Sequence, residues 1–239
     1  MSYLSSSINS GNSRTPACPV PAGIQAGDII ILAATYDAAG AAFDPADWPT
    51  GFTELDESDN TLDGQTSAVG WRRATGAESG NYTFGSVDTG PGSDWVAMAA
   101  VFRGRHTTDP PTQTKTINNS SNASPVTITS PTITAVAGDD LLHIIAADPT
   151  AADIVSSWSA PSGFTEMQTT MFHSSAMAGA YKVNVTAGDT GADSSDLILL
   201  SGASAWVTWK VRIPAAAATA FHNRVINGPF EGPLIGTVQ

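Results

Sequence analysis

Pro49-Thr50-Gly51-Phe52-Thr53-Glu54 occurs a second time as Pro161-Ser162-Gly163-Phe164-Thr165-Glu166, 112 positions further on (161 − 49). Pro-x-Gly is turn chemistry, and a Phe directly after it anchors the strand that follows. Working outward, three more landmarks recur in the same order. Ala26-Gly27-Asp28 returns as Ala137-Gly138-Asp139, 111 positions on (139 − 28). The strand around Trp71 returns around Tyr181. Trp95-Val96 returns as Trp206-Val207, again 111 positions on (206 − 95). Four landmarks in one order at a near-constant offset read as an internal duplication.

Between the landmarks the chain reads as short strands joined by Gly, Pro, Ser and Asn turns. Ile29-Ile30-Ile31-Leu32-Ala33-Ala34-Thr35-Tyr36 is a continuous apolar run, which predicts a strand buried on both faces. Leu141-Leu142-His143-Ile144-Ile145-Ala146 is its counterpart. Asp28 is expected to accept backbone N–H groups in its turn. In the strand near Trp71, Ala68 and Gly70 share one face while Val69 and Trp71 share the other. Two short strands are expected at 3–9 and 14–20 around a turn at 10–13, and a paired set at 114–117 and 126–128. The acidic stretch 56–64 is expected to be a loop. The fold class is therefore all-β: two tandem sandwich or jelly-roll-like domains, 1–106 and 107–213. An Ala-rich spacer and an extended C-terminal arm occupy 214–239. In that arm Phe221, Val225, Ile226, Phe230, Leu234 and Ile235 form an apolar set with no counterpart in the first copy, and they are expected to dock on a partner.

Composition narrows the function classes. The chain has 239 residues, ten Lys and Arg against 22 Asp and Glu, and a formal charge of −12. The acidity is shared by both halves, which disfavours nucleic acid and anionic membranes as partners, since both recruit clustered cations. No segment reaches the ~20 apolar residues of a membrane-spanning helix. The first residues lack the basic start and apolar core of a secretory signal. Cys18 is the single cysteine, so no intramolecular disulfide can form, and its apolar setting reads as packing.

Catalytic patterns are missing from the sequence. His106, His143, His173 and His222 are not spaced with one another or with carboxylates as a metal site or triad requires. His143, within an apolar run, is expected to be a hydrogen-bonded core residue. Glu54 and Glu166 recur, but one lies in each half, so an acid–base pair is not expected. Neither an enzyme, a cofactor nor a resident metal is expected; stretch 56–64 is the one place where oxygen-rich side chains invite a calcium ion. Trp95 and Trp206 are read as core fillers. Trp48 and Trp158, placed on loops, are the candidate glycan-stacking rings.

The repeated block resembles a β-sandwich module of tailed-bacteriophage virion structural proteins. The first copy carries the resemblance in the run from Pro21 to Asp28, in Pro49 to Thr53, in Trp71-Arg72-Arg73-Ala74, in Tyr82-Thr83-Phe84 and in Trp95 to Gly104. The second carries it in Ala137 to Asp139, Pro161 to Thr165, Tyr181-Lys182-Val183 and Trp206-Val207. It departs at 132–136, where Thr132-Ile133-Thr134-Ala135-Val136 replaces the Pro-Ala-Gly-Ile-Gln run. The resemblance spans about residues 3–213 and brings no catalytic residue. It implies a virion protein assembled in the host cytoplasm. The role implied is a capsid decoration or cement protein docked on the major capsid protein or other virion proteins as a homo-oligomer. The alternative is a tail or fibre component that binds host glycan.

Overall fold

The computed structural model describes residues 2–38, 42–60, 64–86, 93–118, 126–149, 155–189, 193–199 and 204–217. Every regular element among them is a strand. In the first half these are β1 (Tyr3–Ser13), β2 (Ala17–Pro19), β3 (Ile29–Asp37), β4 (Thr53–Asn60), β5 (Gln65–Arg73), β6 (Asn81–Thr83) and β7 (Ser93–Phe102). In the second they are β8 (Thr112–Asn118), β9 (Val126–Thr129), β10 (Thr134–Ala135), β11 (Asp140–Pro149), β12 (Val155–Ser159), β13 (Thr165–Phe172), β14 (Ser175–Lys182), β15 (Gly188–Asp189), β16 (Ser194–Leu199) and β17 (Ser204–Ile213).

Each half is built on a five-stranded antiparallel sheet. The first runs β1-β7-β3-β5-β4 and the second β8-β17-β11-β14-β13. The registers also correspond. Ile29 lies opposite Phe102 and Asp140 opposite Ile213, both partners of the second pair standing 111 positions after those of the first (140 − 29 and 213 − 102). β4 slips against β5 between Glu54 and Asp56; β13 slips against β14 between Glu166 and Gln168. The extra residues, Leu55 and Met167, each come directly after the Pro-x-Gly-Phe-Thr-Glu motif, so the motif leads into a β-bulge in both halves.

The turn itself is visible in both copies. Phe52 N–H donates to Pro49 C=O at 3.1 Å, and Phe164 N–H to Pro161 C=O at 3.0 Å. Gly51 and Gly163 occupy the third turn position with φ of 83° and 78°. A side chain there would strain the backbone, so glycine is required. The Asp28 expectation holds: its carboxylate accepts Gln25 N–H at 2.8 Å, and Asp139 accepts Val136 N–H at 2.7 Å.

The continuous apolar runs are buried on both faces, and three layers result. On the outer face of the first sheet, Ile30, Leu32, Ala34 and Tyr36 pack under Phe43, Trp48, Phe84 and the small β2–β6 pair. On the outer face of the second, Ile145 and Ala147 pack with Ile128, Trp158 and Trp206, beneath the three-stranded sheet β12-β16-β9. The third layer lies between the sheets. There Ile29, Ile31, Ala33, Met98 and Phe102 meet Leu142, Ile144, Ala146, Trp209 and Ile213. Period-two alternation explains the split, because odd and even residues of β3 point to opposite faces. Each half thus has an outer layer of its own, and the middle layer belongs to both.

Four sequence expectations give way to longer-range pairing. β1 continues through the supposed turn at 10–13, because Ser10 to Ser13 pair with Ser93 to Val96 of β7. Residues 56–60 are strand rather than loop, held by β5. β8 and β9 do not pair with each other; β8 adds to β17 and β9 to β16. Trp158 lies on β12, not on a loop.

Close packing beneath the repeated turn gives a simple test. A Cβ built on Gly70 would stand 2.6 Å from Trp48 Cζ3 and 2.9 Å from the Thr53 carbonyl oxygen. Gly70→Ala is expected to cost about 1–3 kcal/mol. On Gly179, facing the middle layer, the same atom meets only the flexible ends of Met98 and Met167. Gly179→Ala is expected to cost less, and urea melts of the two variants check the order.

Candidate functional site

The residues that recur between the halves converge on the frame. Arg103 grips Asp28 with two nitrogens, Nε to Oδ1 at 3.0 Å and Nη2 to Oδ2 at 2.7 Å, and Nη2 also donates to Gly23 C=O. In the second half Arg212 Nε donates to Asp139, from a strand position two residues short of the one that corresponds to Arg103. Burial works against a charge on Asp139. The Arg212 contact and the backbone N–H groups of Ala215 and Val136 outweigh it and hold its carboxyl below the ordinary aspartate value. Both clamps tie the end of the last strand, β7 or β17, to the turn before β3 or β11. The sequence flagged the Asp of each pair but not its Arg, and no repeat offset would have found it, since Arg103 follows β7 while Arg212 lies within β17.

The seam between the halves holds the polar contacts that sequence reading did not find. Asp56, on the strand expected to be an acidic loop, accepts Lys115 Nζ at 2.9 Å and the Trp209 indole N–H at 3.0 Å. Tyr3 and Tyr181 stack with ring centroids 3.9 Å apart and planes 14° apart. At the far end, the β13–β14 hairpin tip reaches the first sheet. Ser175 Oγ donates to Asp94 C=O at 3.0 Å, and Ser174 Oγ lies 3.0 Å from Asp94 Oδ2 and also contacts Asp37. Arg105 forms a 3.2 Å ion pair with Asp140 and donates to Gly138 C=O.

One polar cleft of about 380 Å³ opens beside the first Pro-x-Gly turn, lined by Thr50, Arg72, Glu78, Ser79, Asn81 and Thr83 among others. Its charged pair is internally satisfied. Arg72 donates to Thr50 C=O at 2.9 Å and to Glu78, and its guanidinium lies over the Phe52 and Tyr82 rings. Burial tends to raise the Glu78 pKa, but the Thr75 and Gly76 backbone N–H groups and Arg72 hold it at about 2. The hydroxyl and amide groups at the rim can hydrogen-bond a neutral polar ligand.

The structure scatters the candidate residues read from the sequence. Trp48 is buried among Phe43, Phe52 and Phe84, with its indole N–H on Glu54 at 3.1 Å. Trp158 is 8 % exposed in the second outer layer. A sugar platform needs an open ring face, and neither indole presents one, which corrects their placement as glycan-stacking rings. Trp95 and Trp206 lie in the two outer layers, 5 % and 4 % exposed. Glu54 and Glu166 each bond within their own half, Glu166 to Thr169 Oγ1 at 3.1 Å. Cys18 is fully buried, and burial pushes its thiol up to about 11.

His143 is fully buried on β11, its Nδ1 at 3.5 Å from Thr208 Oγ1, whose own proton goes to Ile144 C=O at 3.0 Å. His173 sits at the β13–β14 turn, 3.4 Å from Asp94, and His106 lies 3.4 Å from Asp109. Among the described residues no group of three or more His, Cys, Asp or Glu could hold a metal ion. Phe221, His222, Val225, Ile226, Phe230, Leu234 and Ile235 lie outside the described residues. So do residues 61–63 of the acidic stretch. No known protein family, no curated protein and no solved structure matches this chain.

Proposed function

We propose that this chain is a non-enzymatic structural protein of a tailed-phage particle, a capsid decoration or cement protein built by duplication of one jelly-roll-like sandwich. One observation carries the reading: the residues that recur at an offset of about 111 are spent on the frame. The Pro-x-Gly turns start β4 and β13 and lead into matching bulges. The two Asp–Arg clamps close matching turns. A duplicated catalytic module would repeat its reacting groups; here the repeat preserves turns, clamps and apolar faces. The resemblance to virion modules gives that rigid frame its setting, and the arm at 214–239, through Phe221, Val225, Ile226, Phe230, Leu234 and Ile235, supplies the contact to the major capsid protein or a sibling copy.

Deletion of 221–239 is expected to abolish incorporation into particles while leaving the thermal unfolding of the two sheets unchanged. Quantifying the chain against the major capsid protein in purified particles checks this; wild-type occupancy of the truncated chain sinks the cement reading. The alternative, a tail or fibre component that binds host glycan, is favoured by the polar cleft at Thr50, Ser79, Asn81 and Thr83. A glycan array with the intact chain separates the two, since a ligand lost on Asn81→Ala supports the alternative.

A further inference from the structure

At the tip of the seam there are more acceptors than protons. Ser174 Oγ stands between two carboxylates, in contact with Asp37 Oδ2 and 3.0 Å from Asp94 Oδ2. A hydroxyl carries one hydrogen and can donate to only one of them. With both carboxylates ionised, the second contact sets two acceptors against each other, with two negative charges on either side of one oxygen. Among the described residues neither Asp37 nor Asp94 is paired with a Lys or Arg.

We propose that the closed seam binds a proton at Asp37, so that Asp37 Oδ2–H donates to Ser174 Oγ and Ser174 Oγ–H donates to Asp94. Each of the three groups then has a complementary neighbour, and the β13–β14 hairpin of the second half is latched to the first sheet through a chain of two hydrogen bonds.

The surroundings decide which carboxylate takes the proton. Asp94, on β7, accepts Asn12 Nδ2 from β1 at 2.8 Å, and His173 Nδ1 lies at 3.4 Å from the same oxygen. These contacts favour its charged form. Burial alone would raise its pKa; Asn12, Ser174 and His173 outweigh it, and it is held below the ordinary value. Asp37, at the end of β3, meets the Ser174 hydroxyl. Burial raises its pKa most, the Ser174 hydrogen bond works against this and the Asp94 charge adds to it, so the value stands above the ordinary one. Among the described residues the titratable group acting on Asp37 is Asp94 from β7, which itself contacts His173 of the hairpin and the neutral Asn12 of β1; on β5 the neutral Gln65 lies opposite Asp37 in register.

The hairpin geometry makes the latch specific. Phe172 lies opposite Ser175, so His173 and Ser174 alone form the tip, with His173 at φ 47°. That left-handed residue aims Ser174 at the pair of carboxylates while His173 remains exposed. The folded-state pKa of Asp37 lies above its unfolded value, so the latch contributes fully below the unfolded value and is lost as pH rises through the folded one. A rise in pH through the folded value then loosens the hairpin tip from the first sheet.

The test is a carboxyl-carbon NMR titration of the intact chain, with thermal melts of wild type, Asp37→Asn and Ser174→Ala across pH 4–9. The Asp37 signal is expected to titrate above the ordinary 3.8. In Asp37→Asn the side-chain amide supplies the donor permanently, so the melting temperature of wild type minus that of the variant is expected to fall as pH rises through the Asp37 midpoint. Ser174→Ala is expected to move the Asp37 midpoint. An Asp37 midpoint at or below 3.8 overturns the proposal even if neither variant folds. So does a shift of the Asp37 and Asp94 carboxyl signals on adding calcium that chelator reverses, which would mean a cation rather than a proton bridges the carboxylates.

Discussion

Trp209→Ala is expected to lower the unfolding free energy by about 3–5 kcal/mol, and to do so in one transition that takes both halves. Trp209 belongs to the second half by sequence, yet it is fully buried in the layer shared with Met98, Phe102 and Ile31 of the first. Its removal opens a cavity against both sheets. It also takes the indole N–H from Asp56, leaving that carboxylate with Lys115. Trp209→Phe keeps most of the volume and removes the hydrogen bond, and is expected to cost about 1–2 kcal/mol. Urea unfolding followed by fluorescence, with amide exchange read separately in each half, checks the coupling. If Trp209→Ala lowers protection in the second half alone, the middle layer does not tie the halves together.

The second large effect is with pH. His143 is fully buried beside Lys210, and burial first, then the Lys210 charge, depress its pKa to about 3. Thr208 spends its proton on the Ile144 carbonyl, so His143 Nδ1 must carry the hydrogen toward Thr208 Oγ1, leaving Nε2 unprotonated and without a partner. In the unfolded chain the same imidazole titrates at 6.5. Below that value the unfolded state takes up a proton that the folded state refuses. Stability from this group is therefore complete above pH 6.5 and is lost on acidification, on the order of 1 kcal/mol per pH unit at most. The Asp37 proton at the seam acts with the opposite sign, so the His143 contribution is read as the difference between wild type and a His143 variant. The urea midpoint of wild type minus that of His143→Gln is expected to fall as pH drops from 6.5 to about 5, and a variant with the wild-type slope would refute the assignment. Falling and rising pH thus act at different places: protonation is opposed by folding at His143 in the second half and favoured by it at Asp37 at the seam.

Much of the frame was legible because it is written locally. The run from Ile29 to Tyr36 is apolar at every position but Thr35, and a strand so composed must be covered on both faces. Pro49-Thr50-Gly51 specifies a turn through one ring and one missing Cβ. Ala68 and Val69 announce opposite faces by alternation, and the structure places them in different layers. Where local chemistry was ambiguous the expectation failed. Ser10-Gly11-Asn12-Ser13 is turn-like by composition, yet it pairs with β7 because a long neighbouring strand supplies the hydrogen bonds. Asp56 and Glu57 look like loop residues, yet they lie on β4, where Lys115 neutralises Asp56.

By itself, the sequence determined that this is an all-β chain whose two halves are announced by the same turns and by strands apolar on both faces. Only the tertiary structure decided what covers the second face of each sheet, and the answer is the other sheet. Periodicity says that a face is apolar but not what it meets, because burial is non-directional and any apolar surface of matching shape will serve. The seam contacts depend on that choice. Asp56 finds Lys115, and Ser174 finds Asp37 and Asp94, across 59, 137 and 80 positions of chain. No local pattern encodes such distances. Once the middle layer is formed, however, the edges of the two sheets are fixed against each other, and the few polar side chains at its rim have to find partners there or remain unpaired.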